Sequence, residues 1–284
     1  MTELPMQIQK AAARYKAIES GGLTLYPVLV REYDEFLVAR PAIEVMHQSL
    51  PVAMLRVPLL SALYQMDYEA ALSGQPMTGL FSRALLGLAL SLRLGEGLEQ
   101  GKRMGLFSII VDPNNPARLK GLRFSGESGE TKEISPVQFA KLRQIIAVQN
   151  GVKIESDKAN PDIVRAEKIM HSADNVALDA NAEDWISAIS ALSGASEEEI
   201  DEWPILKFQR RSESYQRILS YVICGVGECS GTTWKDGNPT PHPFFARLKN
   251  GNGVLSEMGG SADGTSPAPP EPAKELRDIT SNLS

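Results

Sequence analysis

The sequence has few of the residues from which disulfide frameworks and metal sites are built. Its 284 residues include only two cysteines and three histidines. Two cysteines cannot supply a disulfide framework for a chain of this length, which favours a reducing, cytoplasmic compartment. The N-terminal stretch is polar and amphipathic, without the apolar segment of a signal peptide. We therefore expect a cytoplasmic protein.

Long apolar runs are also missing. The most apolar run extends from Leu80 to Leu94, but Arg83 and Arg93 interrupt it and leave nine residues between them. A bilayer span needs about 20 apolar residues. The run therefore predicts a helix buried on most of its circumference, and we expect no membrane partner.

The charge of the chain excludes a further class of partner. The formal net charge is -6, whereas a surface that binds nucleic acid needs concentrated Lys and Arg. We expect no nucleic-acid partner. The hydrophobic content of 43% is that of an ordinary globular protein, and the chain is long enough to bury a sizeable core.

The stretch from Cys224 to Phe245 most invites a chemical interpretation. Its two cysteines, Cys224 and Cys229, have four residues between them, and only His242 lies nearby in the sequence. On a continuous helix the two thiols would point about 140° apart, at roughly 100° per residue. Thiols that diverge in this way, with only one further candidate ligand nearby, do not favour a zinc site. We therefore expect no metal and interpret the stretch as a helix that runs into a loop.

Other catalytic and cofactor motifs are missing as well. Gly225 and Gly227 begin like a dinucleotide loop, but Ser230 stands where the third glycine is due. The acidic run from Glu197 to Glu202 lacks the alternating ligands and the glycine of a calcium loop. Neither a nucleophile elbow nor a phosphate-binding lysine loop is present. We expect a non-enzymatic protein without cofactors, and an enzyme of unrecognised type ranks last among the alternatives.

Periodicity and capping signals predict a mainly α fold with a small antiparallel β-hairpin and a disordered C-terminal tail. We divide the chain into an N-terminal helical region (1–105), a β-hairpin insertion (106–134), a C-terminal helical region (135–250) and a disordered tail (251–284). Helix boundaries are predicted at Gly21-Gly22, Pro41, Ser135, Gly151, Gly194 and Ser196. The last helix is predicted from Pro204 to about Val226.

Three stretches resemble phage tail assembly chaperones: YPVLVREYDEFL (26–37), PLLSALYQMD (58–67) and CSGTTWKDGNPTPHPFFARL (229–248). The order of elements is similar too, with a helical body, one hairpin, a late helix and a loose tail. This resemblance implies a non-enzymatic factor in the host cell cytoplasm. Its partner would be a protein client, a tape-measure or tail-tube protein, and it could form oligomers. The alternative is a structural component of a phage or phage-like particle.

The apolar stretches Leu50–Leu63 and Leu80–Leu94 are the candidates for a client-binding surface. One interpretation is that they simply form the core. The other is that part of their apolar surface receives hydrophobic helical segments of the client. In the second case Leu86, Leu90 and Leu94 are the predicted partner-binding residues, and some of them should be exposed in the free protein.

The composition of the tail leads to a first testable prediction. Of residues 251–284, 14 are Gly, Pro or Ser and none is aromatic, so this segment cannot bury enough apolar surface to order itself. A chain that ends at Asn250 should keep the melting temperature of the full chain in a thermal scan. A fall of many degrees would instead show that the tail packs on the body.

Overall fold

The structure, a computed structural model, describes residues 4–126, 129–154 and 181–230. Nine α-helices lie in these ranges: α1 (Met6–Ala13), α2 (Tyr33–Glu44), α3 (Leu59–Leu72), α4 (Leu80–Ser91), α5 (Gln100–Met104), α6 (Pro136–Gln149), α7 (Ala182–Ser193), α8 (Glu197–Asp201) and α9 (Ile205–Cys229). Three short 3-10 helices lie between them, at Val30–Glu32, His47–Ser49 and Val52–Met54. Five strands accompany them: β1 (Ile18–Ser20), β2 (Leu23–Leu25), β3 (Ser108–Asp112), β4 (Asn115–Ser125) and β5 (Thr131–Ile134). The predicted mainly α fold with a small antiparallel sheet is confirmed, while the predicted tail lies outside the described residues.

The strands form two antiparallel sheets. β1 pairs with β2, and β3, β4 and β5 form a three-stranded sheet in that order. The larger sheet places Ile109, Leu122 and Ile134 side by side on neighbouring strands. The register between β3 and β4 shifts after Ile110 and again after Val111. Leu122 and Ile134 are buried because this face of the sheet packs against α3 and α6.

Helix α4 lies in the middle of the main hydrophobic core. Every residue from Ala84 to Leu92 is buried, because α4 contacts α2, α3 and α5. Gly87 faces Ala39 and Ile43 of α2, and a Cβ atom at position 87 would lie 3.4 Å from the Ile43 Cδ1. The missing side chain therefore allows α2 and α4 to pack closely.

Local capping chemistry ends the helices where the sequence indicates. The Ser135 hydroxyl accepts a hydrogen bond from the Gln138 amide at 3.2 Å, and the Ser196 hydroxyl does the same for Glu199. Gly151 and Gly194 have φ angles of 70° and 71°, the left-handed conformation that closes helices α6 and α7. The boundaries predicted at these four residues are confirmed.

Two predicted boundaries are wrong. Gly21 and Gly22 do not end the first helix, which stops at Ala13; both have positive φ angles and form the tight turn between β1 and β2. Paired positive φ angles are what a two-residue hairpin turn requires, which Gly-Gly supplies without strain. Pro41 does not end α2 either, since the helix continues to Glu44. A proline removes one hydrogen bond, and packing of α2 on α4 compensates for that loss.

A second, smaller hydrophobic cluster joins α7, α8 and the start of α9. Its buried members are Val30, Ile186, Ile189, Ile200, Trp203 and Phe208. Val30 begins a short 3-10 helix and ends a segment, residues 26–30, that is extended as far as Leu29 and runs between this cluster and the main core. The backbone amide of Ile205 donates to the Val28 carbonyl at 2.9 Å, so the start of α9 is tied to the same segment.

The extended segment is held by three alternate backbone amides. They donate to three different parts of the chain: Tyr26 to the Ser91 carbonyl at 2.7 Å, Val28 to the Asn150 Oδ1 at 2.9 Å, and Val30 to the Trp203 carbonyl at 2.9 Å. Asn150 is fully buried, and its Nδ2 donates to the Ile146 carbonyl at 2.8 Å. The Asn150 side chain thus accepts the hydrogen bond of the Val28 amide and also donates one to a carbonyl in the last turn of α6.

The position of Asn150 leads to a prediction about stability. Asn150→Ala leaves the buried Val28 amide without its acceptor, which should lower the free energy of unfolding by about 1–3 kcal/mol. Lys141→Ala, at an exposed position of the same helix, is the control and should change it by less than about 0.5 kcal/mol. Urea unfolding of both variants measures the difference. Equal stabilities would show that the Asn150 side chain does not hold the segment.

Candidate protein-binding face on the C-terminal helix

The predicted partner-binding leucines are not exposed. Leu86 is 0% exposed, Leu90 1% and Leu94 7%, and all three belong to the main core. The prediction that some of them are accessible to a client is therefore wrong. The physical reason is that the apolar surface of α4 is covered by the helices around it, as the simpler interpretation of a buried helix predicts.

The second apolar stretch is also mostly core. Leu50, Leu59, Leu60 and Leu63 are buried, whereas Val52 and Leu55, in the segment before α3, are exposed. The buried Met54 lies between the two exposed residues in the sequence. The apolar side chains of α3 in this stretch are therefore core and offer no docking surface.

The first turns of α9 are anchored to the body of the protein. Ile205, Phe208 and Ser212 are buried, and Phe208 packs in the second hydrophobic cluster. The Arg210 guanidinium donates to the Ala13 carbonyl at 2.9 Å and lies 5.5 Å from the centroid of the Tyr15 ring. These contacts fix the direction in which the helix leaves the body.

The second half of α9 carries apolar side chains that face solvent. Val222 is 52% exposed, Ile223 60% and Val226 63%, and Ile218 and Leu219 are exposed as well. We call these five residues the α9 face. At 100° per residue they cover an arc of about 140° on one side of the helix, so they form a continuous apolar stripe.

The α9 face continues the side of the helix that is buried in the first turns. Successive spacings of four and three residues connect the buried and the exposed positions: Phe208, Ser212, Tyr215, Leu219, Val222 and Val226. This is the spacing of a helix that packs lengthwise against another helix. In the first turns that neighbour is provided by the protein itself, where Phe208 and Tyr215 contact the second cluster.

Sequence reasoning assigned these residues to the last helix but did not identify the face as exposed. The spacing alone indicates an apolar side, and an apolar side is normally core. The length of the last helix was the signal that part of its apolar side could be exposed. α9 has 25 residues, whereas each of the other described helices has 14 or fewer. A helix of about 37 Å is long for a single body of this size to cover.

Charged side chains are absent from the stretch of α9 that carries the α9 face. The Lys207 ammonium lies 3.9 Å from the centroid of the Trp203 ring. Burial lowers the pKa of Lys207, and the nearby Arg211 lowers it further. From Ile218 to Val226 the sequence contains no charged residue. A partner could therefore cover the α9 face without burying an unpaired charge.

The described residues offer little to a metal ion or a small substrate. They contain no group of three or more His, Cys, Asp or Glu side chains that could hold a metal. The His47 imidazole lies 3.3 Å from the Met54 carbonyl, whereas His171 and His242 fall outside the described ranges. A concavity at the β1–β2 turn is lined by residues 19–24, two of which are glycines, and Glu19 is its one charged residue. Convergent polar groups of the kind that fix a small ligand do not line it.

The backbone of Cys224 and Cys229 lies within α9, which ends at Cys229. The stretch is therefore a helix at its start, as predicted, and the helix runs about three residues further than Val226. Gly225 and Gly227 belong to the helix and do not terminate it. The loop predicted after Ser230 lies outside the described residues.

Comparison with known proteins finds no relative. No protein-family model, no curated protein and no solved structure matches this chain. The resemblance to phage tail assembly chaperones thus stays a prediction from the sequence. Among the helices that the structure describes, none is long and apolar enough to cross a membrane.

The cysteine spacing leads to a prediction about metal content. Because the two thiols diverge on a continuous helix and have only one further candidate ligand nearby in the sequence, the purified protein should contain far less than one zinc or iron per chain by elemental analysis. Cys229→Ser should leave the melting temperature nearly unchanged. One metal ion per chain that is lost in this variant would contradict the interpretation.

Proposed function

We propose that this protein is a non-enzymatic adaptor that receives an amphipathic helix of another protein on the α9 face. The observation that carries the proposal is the exposure of five apolar side chains in a row on one helix. Burying a Val, Leu or Ile side chain completely contributes about 1.5–3 kcal/mol. Their exposure in the isolated chain therefore leaves a substantial driving force for association.

The spacing of the face indicates the kind of partner. Leu219, Val222 and Val226 continue the seam that begins at Phe208, and a seam with this alternation of three and four fits a second helix lying nearly parallel or antiparallel to it. A helix with apolar residues at the same spacing would extend the packing that the body provides for the first turns. A strand would not match this spacing, because its side chains alternate with a period of two.

The resemblance suggests the identity of the partner. Phage tail assembly chaperones hold the long tape-measure protein, whose hydrophobic-patterned segments are of the kind the α9 face would accept. On this proposal the protein is a tail assembly chaperone or adaptor, and its client surface lies on α9 and not on α4. The proposal rests on the resemblance for the name of the client and on α9 for the surface.

The alternative of a structural component of a phage or phage-like particle gains from the same findings. Burial of Leu86, Leu90 and Leu94 removes the surface on which the chaperone hypothesis was first based. The α9 face would serve either a temporary client or a permanent neighbour. The two functions differ in where the protein ends up, since a chaperone is absent from finished particles and a structural component is retained.

One pair of variants tests the proposed surface. Val222→Glu places a carboxylate at the centre of the α9 face and should weaken client binding at least about tenfold, since burying an unpaired carboxylate costs more than the 1.4 kcal/mol that a factor of ten represents. Val137→Glu is the matched control, because Val137 is exposed on the first turn of α6, where a negative charge is tolerated. Retention of the tape-measure protein from the same gene cluster on the tagged, co-expressed protein measures binding.

Circular dichroism should show the same helix content for both variants and for the unaltered chain. If Val222→Glu retains the client as well as Val137→Glu does, the α9 face is not the client surface. The protein content of purified particles decides between the two functions. A stoichiometric amount in the particle supports the structural component and contradicts the chaperone.

A further inference from the structure

The last residues of the sequence differ in composition from the rest of the tail. Residues 273–284 contain neither glycine nor proline, whereas both are frequent in residues 251–272. Gly and Pro are the residues that oppose a helix most strongly. Pro272 stands directly before this segment, and proline is favoured at the first position of a helix. The sequence therefore permits a helix from Pro272 to about Leu283.

The apolar residues of this segment have the spacing of the α9 face. Leu276, Ile279 and Leu283 follow one another at intervals of three and four residues, and on a helix they lie within an arc of about 60°. The α9 face has the same intervals in the same order at its central residues: Leu219, Val222 and Val226. Two helices whose apolar residues repeat at matching intervals can pack along each other.

The charged residues of the segment are compatible with such packing. On a helix, Lys274, Arg277 and Asp278 point about 125° or more away from the middle of the apolar arc, and Glu275 lies at its flank. From Ile218 to Val226, α9 carries no charged residue. Packing of the two helices would therefore bury no unpaired charge at the seam.

A segment of this length needs a surface on which to fold. Isolated helices shorter than about 12–15 residues are marginal in water, so the segment is not expected to form a stable helix by itself. Segments of this kind order themselves when they bind an apolar surface. The α9 face supplies one, since its five apolar side chains are exposed.

We infer that residues 272–284 fold as a helix on the α9 face of the same chain and occupy the site proposed for the client. The segment runs parallel to α9, so that Ile279 packs against Val222, with one matched apolar pair on either side. The inference rests on the proposed function, because it assigns an internal competitor to the client surface. A client helix binds only when it displaces this segment.

The chain between α9 and the segment is long enough for this arrangement. Ser230 lies about three helical turns beyond Leu219, which is about 17 Å along the helix axis. Residues 231–271 can reach much further, because an extended chain covers about 3.3–3.6 Å per residue. A tether of this kind holds the segment near the face at an effective concentration of about millimolar, so even a weak contact is populated.

The contact is expected to be weak. Ordering the segment costs conformational entropy, which offsets most of the gain from burying three apolar side chains. Removal of the tail should therefore leave the melting temperature unchanged and act on access to the α9 face instead.

A disulfide cross-link tests the contact without a client. In the full chain with Cys224→Ser and Cys229→Ser, the pair Val222→Cys and Ile279→Cys should form a disulfide within the chain under mild oxidation at low protein concentration. Residues that face each other at a helix seam come within disulfide distance. Val222→Cys with Asp278→Cys is the matched control. The tether is almost the same, but residue 278 points away from the seam, so this disulfide should form at least about tenfold more slowly.

Client retention tests the competition. Ile279→Glu should increase retention of the tape-measure protein from the same gene cluster by at least about twofold, the factor expected when half of the α9 faces are occupied. Val222→Glu should decrease retention. Ser281→Glu adds the same charge as Ile279→Glu on the outer side of the segment and should leave retention unchanged. Circular dichroism checks that all three variants are folded.

The outcomes separate this inference from the proposed function. Equal cross-linking rates at residues 278 and 279, disulfides formed mainly between two chains, or unchanged retention in Ile279→Glu of a client that the unaltered chain binds would each overturn the inference. If only Val222→Glu changes retention, the client surface stands and the internal competitor does not. If the cross-link forms specifically but no variant retains the client, the internal contact stands and the proposed client is wrong.

Discussion

The architecture depends on the extended segment of residues 26–30, which joins the two hydrophobic clusters through backbone hydrogen bonds. Its backbone amides donate hydrogen bonds to Ser91 in α4, to Asn150 at the end of α6 and to Trp203 between α8 and α9. Three distant parts of the chain therefore converge on five residues. Buried amides must be paired, and no regular strand lies beside this segment in the described structure to pair them all. The Asn150 side chain supplies the missing acceptor. Because Ile205 is tied to the same segment, the direction of α9 follows from it.

The consequence for function is a contrast between two apolar helices. α4 is more apolar, yet its residues from Ala84 to Leu92 are covered because helices pack around it. The first turns of α9 are anchored to other described residues, and its apolar side continues into solvent at Val222 and Val226. Apolar content therefore does not identify a docking surface in this protein. What matters is how far a helix extends past the elements that cover it.

The sequence by itself determined the local structure. Ser135, Ser196, Gly151 and Gly194 mark helix ends through hydrogen bonds and backbone angles that depend only on near neighbours. The hairpin of β3 and β4 follows from alternation and turn residues. Tertiary structure decided the rest. Whether Gly21-Gly22 closes a helix or a hairpin depends on pairing between β1 and β2, and whether Leu90 or Val222 faces solvent depends on what packs over it. Burial is a property of neighbours distant in sequence, so periodicity can show that a side of a helix is apolar but not whether anything covers it.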